Sequence, residues 1–394
     1  MIAGVSHRGT EQVNCINLKS LKVPIFLCVC MGPHIICTVM ARLKILAVLL
    51  LATSAFAQTI QIAHPAPDFP ADVDWLDQGA RVPHNIKGYR GHVLLIDFWE
   101  YTCINCIRDF AVVKRWYAKY HQYGFDVIGV HYGEFAIGHN TDNVRRAAKR
   151  FRLPWPVVSD VRGSIWNAYG SQVWPNRYLI DQNGNIVMQV EGEGDNVPME
   201  NKIRELLAKN DPQVMKVPPE PPENTFAPQC GRTTEETYVG NWFGRGALEN
   251  GQGYHQNATR DFQADRAPSD GGVILADKWR TETDGVISEA PGASANLRYH
   301  SRSLYAVLSV SNPKKPVRLY LEQDGKPLDK SNAGVDVKFD SKGSYIEVAE
   351  PRMYYLVNNP EFGAHNIRLI PDARGFDLHS FTYGNNCQQQ FEQL

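Results

Sequence analysis

Apolar positions along this chain change their rhythm partway through. Residues 93–98 form a continuous apolar run broken only by Asp97, the pattern of a buried strand. Ile107, Phe110, Val113, Tyr117 and Tyr120 then recur three and four apart with Lys114, Arg115 and Lys119 between them, which predicts an amphipathic helix ended by Gly124. Residues 125–130 read as a second buried strand, 140–151 as a helix entered at Asn140 or Thr141, and 155–158 as an extended piece. Residues 178–180 and 186–190 flank Asn183 and Gly184 and predict a hairpin, and a helix over about 199–209 closes the segment. Parallel strands joined by helices and finished by a hairpin predict an α/β sandwich over residues 58–210, its reactive loops at one end of the sheet.

Six prolines, at 212, 218, 219, 221, 222 and 228, mark residues 211–229 as an extended linker. Beyond it the helical period disappears. Short alternating runs at 304–310, 317–321, 335–339, 345–348, 353–357, 367–370 and 376–383, with turns at Asp324-Gly325 and Asn358-Asn359, predict a β-sandwich over 230–394.

The first 57 residues fit neither domain. Arg42 and Lys44 precede an apolar stretch at 45–51 and the small-residue ending Ala55, Phe56, Ala57, so residues 40–57 read as a secretory signal cleaved before Gln58. Residues 1–39 hold Cys15, Cys28, Cys30 and Cys37 without a domain pattern, and Met40 is the expected start. The alternative is a membrane anchor using 23–40, against which Pro24, Pro33 and His34 weigh. The expected product is exported and soluble, in a compartment where disulfides form. A formal charge of −1 makes no case for nucleic acid or an anionic membrane.

Chemistry concentrates at Cys103 and Cys106, where the first strand hands over to the first helix. Unpaired N–H groups at a helix start stabilise a thiolate, so Cys103 is expected to be acidic and nucleophilic, with Cys106 one turn on to resolve the mixed disulfide. A zinc ribbon wants a second close pair, and c-type haem attachment wants His where Ile107 stands. No metal or cofactor is expected beyond the redox-active disulfide. Asp97, inside the strand, is expected to have a raised pKa and to take the proton of Cys106, the alternative being a strand-end carboxylate that reaches water. Arg108 stands near the thiols, and His131, Tyr132 and Glu134 fall on the next loop at the same sheet end.

Asp97, Phe98, Trp99 and the cysteine pair, followed by 173–181 with Val173, Trp174, Pro175 and Asn176, resemble TlpA-like redoxins of the thioredoxin fold. The resemblance implies a cis Pro175 facing the dithiol, with the Trp174 backbone free to pair with an extended peptide; Trp99, Thr102 and Glu134 are the other expected substrate-contacting residues, Glu134 placed there by its loop with a solvated carboxylate as the alternative. The Cys-Ile-Asn-Cys core, the run at 129–135 and the turn at 191–194 are similar to the soluble C-terminal region of DipZ-type cytochrome c biogenesis proteins. That implies a second domain resembling carbohydrate-binding modules. No polytopic electron-carrying domain precedes this region here, so reducing equivalents are expected from a separate membrane or soluble donor. Thr102 replaces the usual Trp and Ile-Asn the usual Gly-Pro, so the direction of electron flow does not carry over.

Cys230 and Cys387 bracket the second domain and are expected to form a structural disulfide. Trp242, Phe243, Tyr254, Trp279 and Tyr299 offer rings for a glycan or protein ligand, although core packing accounts for them more simply. The reading is an exported thiol-disulfide oxidoreductase acting on protein disulfides. Its alternatives are a thiol peroxidase, whose usual Pro and Thr spacing before the nucleophile is missing, and a binding protein with a secondary redox half.

Overall fold

Besides two three-residue strands at Asn14–Ile16 and Leu27–Val29, the computed structural model describes residues 64–71, 73–76, 82–222, 232–241 and 246–384. The signal segment, Cys230, Cys387, Trp242 and Phe243 lie outside the described residues.

The α/β half contains β1 (His64–Pro65), β2 (Asp74–Leu76), β3 (Val93–Trp99), α1 (Ile104–Tyr120), β4 (Phe125–His131), α2 (Thr141–Arg150), β5 (Val157–Ser159), α3 (Ser164–Ala168), β6 (Asn176–Ile180), β7 (Asn185–Glu191) and α4 (Asn196–Ala208). One seven-stranded sheet runs in the order β1-β7-β6-β3-β4-β5-β2, with β3, β4 and β5 parallel and the β6–β7 hairpin antiparallel beside β3. β3 is central and buried on both faces. Its alternation sends Val93, Leu95 and Trp99 to the face covered by α1 and α4, and Leu94, Ile96 and Phe98 to the opposite core. Asp97 has the parity of the first set, and Arg177 stands opposite it across the β3–β6 ladder. The expected strands and helices are all present, and Asn140 is the α2 N-cap, its side chain accepting the N–H groups of Asp142 and Asn143.

The all-β half contains β8 (Thr237–Tyr238), β9 (Ala258–Phe262), β10 (Val273–Glu282), β11 (Gly285–Ser288), β12 (Ser294–Val310), β13 (Val317–Gln323), β14 (Lys326–Pro327), β15 (Lys338–Asp340), β16 (Gly343–Val348), β17 (Arg352–Pro371) and β18 (Phe376–Gly384). β12 and β17 pair along their length with register shifts near Ser301–Ser303 and Leu304–Tyr305. The early part of β12 also pairs with β10 and its later part with β18, so this long strand serves two groups of neighbours around one apolar core. Trp279 and Tyr299 are fully buried in or against that core, not displayed for a ligand. The turn expected at Asn358-Asn359 is absent. Both residues continue β17, and buried Asn359 accepts from Gln323 and donates to Tyr299 inside the sandwich. The stretch expected at 335–339 shortens to Lys338–Asp340.

The halves pack together. Phe135 joins Tyr238 and Val307 in one buried cluster, and Tyr305 and Met353 enter the α/β core. The proline-rich stretch begins as a docked strap: the Glu200 carboxylate accepts the Glu220 N–H, Arg204 donates to the Met215 and Val217 carbonyls, and Arg115 and Lys119 pair with Glu220. No helix among the described residues is long and apolar enough to cross a membrane.

Candidate dithiol site

Cys103 is the N-cap of α1. Its extended backbone turns the chain from β3 into the helix, and its sulfur accepts the N–H of Cys106 at 3.2 Å. The two sulfurs face each other at 2.6 Å, Cys106 buried and Cys103 partly covered. This is the arrangement the helix-start argument requires, yet the acidity expected of Cys103 does not follow. Burial pushes its thiol above the ordinary value, and the carboxylates of Glu236 and Glu100 add to that, outweighing the hydrogen bonds from Cys106. Cys106 is driven higher still by burial, by its neighbour sulfur and by Asp97. The helix terminus is local, whereas the two glutamates reach the sulfur from β3 and from the other half of the chain.

Asp97 lies on the floor. It is 1% exposed, and burial together with the charge of Asp109 raises it to about 8, while Arg177 pulls the other way. Arg177, fully buried, bridges to Asp109 at 3.2 Å and donates to Asn196 and the Gly194 carbonyl. Asp97 is thus mostly protonated at neutral pH, and its charge, once formed, acts on Cys106. Asp109 is a residue that the sequence reading passed over. It stands one turn after Cys106 on the buried face of α1, and an acid there is the signal that would have revealed it.

The cis peptide at Trp174–Pro175 leads into β6, as expected. Trp174 stacks on Trp166 at 4.5 Å and lies near Tyr132, and its backbone makes no hydrogen bond among the described residues. Trp99 and Thr102 do not line a groove. Trp99 is fully buried against Phe110, His131 and Phe151, because its parity on β3 turns it into the core. Thr102 is 2% exposed because its N–H and hydroxyl both turn inward to Glu100. Glu134 accepts the Tyr238 hydroxyl at 2.6 Å, and the same hydroxyl meets Glu236 at 3.1 Å. The Ala136 N–H donates to Asp284. The second half of the chain therefore packs on the loop after β4, and its Glu236 carboxylate acts on the Cys103 thiol, a relation between distant segments that no local pattern encodes. Arg108 caps back to Asn105 and lies 3.6 Å from Glu193. No cluster of metal-ligating side chains occurs among the described residues.

Two family models match the chain, one described as the AhpC/TSA family over residues 62–189 and one as a thioredoxin like C-terminal domain over residues 234–384. Protein DipZ of Mycobacterium bovis is 30% identical over 336 residues, which are 83% of this chain and 44% of that protein. The chain thus spans less than half the length of this relative. Thiol-disulfide oxidoreductase ResA of Geobacillus thermodenitrificans is 30% identical over 134 residues, 34% of this chain and 71% of the relative. The solved thioredoxin domain of a thiol-disulfide oxidoreductase from Bacteroides vulgatus aligns with 36% of this chain and 96% of its own at 21% identity, with a TM-score of 0.30.

Proposed function

Since the chain belongs to the thioredoxin-like thiol-disulfide oxidoreductases, we propose that it works as an extracytoplasmic reductase of protein disulfides, passing two electrons through Cys103 and Cys106. The observation that carries the direction is the pair of thiols held above their ordinary values by burial and carboxylates. A dithiol that gains nothing from thiolate stabilisation in its reduced form closes readily to the disulfide, and so gives up electrons; strong oxidants of this fold have the opposite bias.

In the forward step the Cys103 sulfur, once deprotonated, attacks a substrate disulfide. One sulfur–sulfur bond breaks, a mixed disulfide forms, and the departing substrate sulfur takes a proton from the medium. Cys106 then attacks Cys103. Asp97, in the fraction that is ionised, takes the Cys106 proton, and the second substrate sulfur leaves as a thiolate that takes a proton from the medium, to which Asp97 returns its own. The substrate has gained two electrons and two protons, and the protein holds a Cys103–Cys106 disulfide that a separate dithiol donor must reduce. Trp174, with its backbone open, and Glu134 at the rim are the proposed peptide-facing residues, beside Pro175. Export is supported by the leader pattern ending at Ala57. The name of the ResA relative, a thiol-disulfide oxidoreductase, supports the same chemistry.

The test is trapping with Cys106→Ser in the exported full chain. Stable mixed disulfides through Cys103 are expected, absent from the Cys103→Ser variant. Equal behaviour of the two variants overturns the reading. The AhpC/TSA match favours one second reading, a thiol peroxidase, and stoichiometric consumption of peroxide by the reduced protein would establish it in place of disulfide reduction.

A further inference from the structure

We propose that Glu100, backed by His131, is a positioning residue of the dithiol, pinning the three-residue loop before Cys103 and holding a fixed negative charge against the nucleophile. Glu100 follows β3 and is completely buried. Its Oε2 accepts the Thr102 N–H at 2.5 Å and the Thr102 hydroxyl, and its backbone carbonyl accepts the Cys103 N–H at 3.2 Å. One residue therefore holds both Thr102 and Cys103. Its other oxygen, Oε1, has no hydrogen-bond partner among the described residues and lies 3.5 Å from His131 Nε2.

His131 ends β4, is 1% exposed, and takes the Tyr101 N–H on that same Nε2 at 3.3 Å while its ring stacks on Tyr101. Tyr101, Thr102 and Cys103 are thus each tied to the Glu100–His131 pair. The lid is backbone: a Cβ on Gly138 would stand 3.1 Å from Glu100 Oε1, and Gly138 in turn presses on Gly133. A carboxylate sealed in this way is costly to bury, and stability alone gives no reason to keep it. Its field reaches the Cys103 sulfur, to which Glu236 adds from β8's flank; on the other side Arg146 and Arg150 of α2 face Tyr101. The consequence is a nucleophile held as a thiol and a dithiol biased toward giving up electrons, so the inference rests on the reductase reading for its functional meaning.

The experiment is the pH dependence of Cys103 alkylation, followed by mass spectrometry in the full chain, for wild type, Glu100→Gln and Thr102→Ala. Gln keeps an acceptor for Thr102 and removes the charge, so the alkylation midpoint is expected to fall by about one pH unit. Because a lower thiol pKa stabilises the dithiol only where Cys103 ionises, the dithiol-to-disulfide ratio in a fixed glutathione buffer is expected to rise toward about tenfold above the alkylation midpoint and to stay unchanged at neutral pH. Thr102→Ala removes one anchor and keeps the charge, and its midpoint is expected not to fall. A Glu100→Gln profile superimposed on wild type overturns the inference, and so does a midpoint lowered by Thr102→Ala. The second variant decides alone if the first does not fold. A wild-type midpoint below neutral pH would instead overturn the reductase reading, which separates the two failures.

Discussion

In the centre of the all-β half, buried polar groups complete one another: Tyr299 donates to Gln323 at 2.6 Å, Gln323 donates to Asn359, and Asn250 bonds to the backbone of Leu275 and Gln263, while Asp377 and Ser380 each keep an atom unpartnered among the described residues. In the α/β half, Asp97, Glu100 and His131 are as deeply buried, yet each keeps an atom without a hydrogen-bond partner among the described residues. Buried groups that are fully paired stabilise a fold, whereas buried groups left incomplete cost it stability and persist where chemistry uses them. The contrast draws attention to the end of β3, where Asp97 and Glu100 precede Cys103. It also assigns a supporting part to the second half, which lends Glu236 and Tyr238 to the wall of a site whose sulfurs belong to the first.

The sharpest way to break this contrast is Asp97→Asn. Loss of the proton acceptor should slow resolution of the mixed disulfide about 100-fold, read by stopped-flow with a peptide disulfide. Activity of the wild type should climb as pH rises toward about 8, where Asp97 ionises, and the variant should lose that limb. The same substitution should stabilise the fold. Because the folded-state pKa is raised, the Asp97 contribution is fully present below about pH 4 and is lost as pH rises toward 8. The gain in unfolding temperature should therefore be larger at pH 8 than at pH 5. Equal gains at both would place Asp97 in contact with water.

Asn359→Leu tests the other side. It strands the Tyr299 and Gln323 polar atoms and should cost about 1–3 kcal/mol in denaturant unfolding, with no change in Cys103 alkylation. A shift in thiol reactivity would show the halves to be less separable than their hydrogen bonds suggest. The wall acts at least as strongly as Glu100: Glu236→Gln should lower the Cys103 alkylation midpoint by about one pH unit. Glu350→Gln, at a different contact between the halves through Arg150, should leave it in place.

Much of this was legible in the residues. The α/β elements follow from apolar period and turn chemistry, Cys103 and Cys106 stand out by their spacing at a strand-to-helix junction and Asp97 as an acid inside a buried strand, while Pro175 rests on the resemblance to TlpA-like redoxins. The second half was harder. β9 and β10 carry charges such as Arg260, Asp261, Asp277 and Lys278 that obscure alternation, and Asn358-Asn359 reads as a turn until its partners across the sandwich are known. The upward push on Cys103 is not legible in the sequence, because the helix start is visible there while the burial that dominates the push, and the Glu236 carboxylate, arrive only through packing.

The most direct test of the account is the redox equilibrium of the wild-type dithiol in graded glutathione buffers, read as the fraction of Cys103 and Cys106 protected from alkylation. A reductase predicts that the pair remains a disulfide until reduced glutathione is in very large excess. A pair that stays reduced in buffers rich in glutathione disulfide would contradict it.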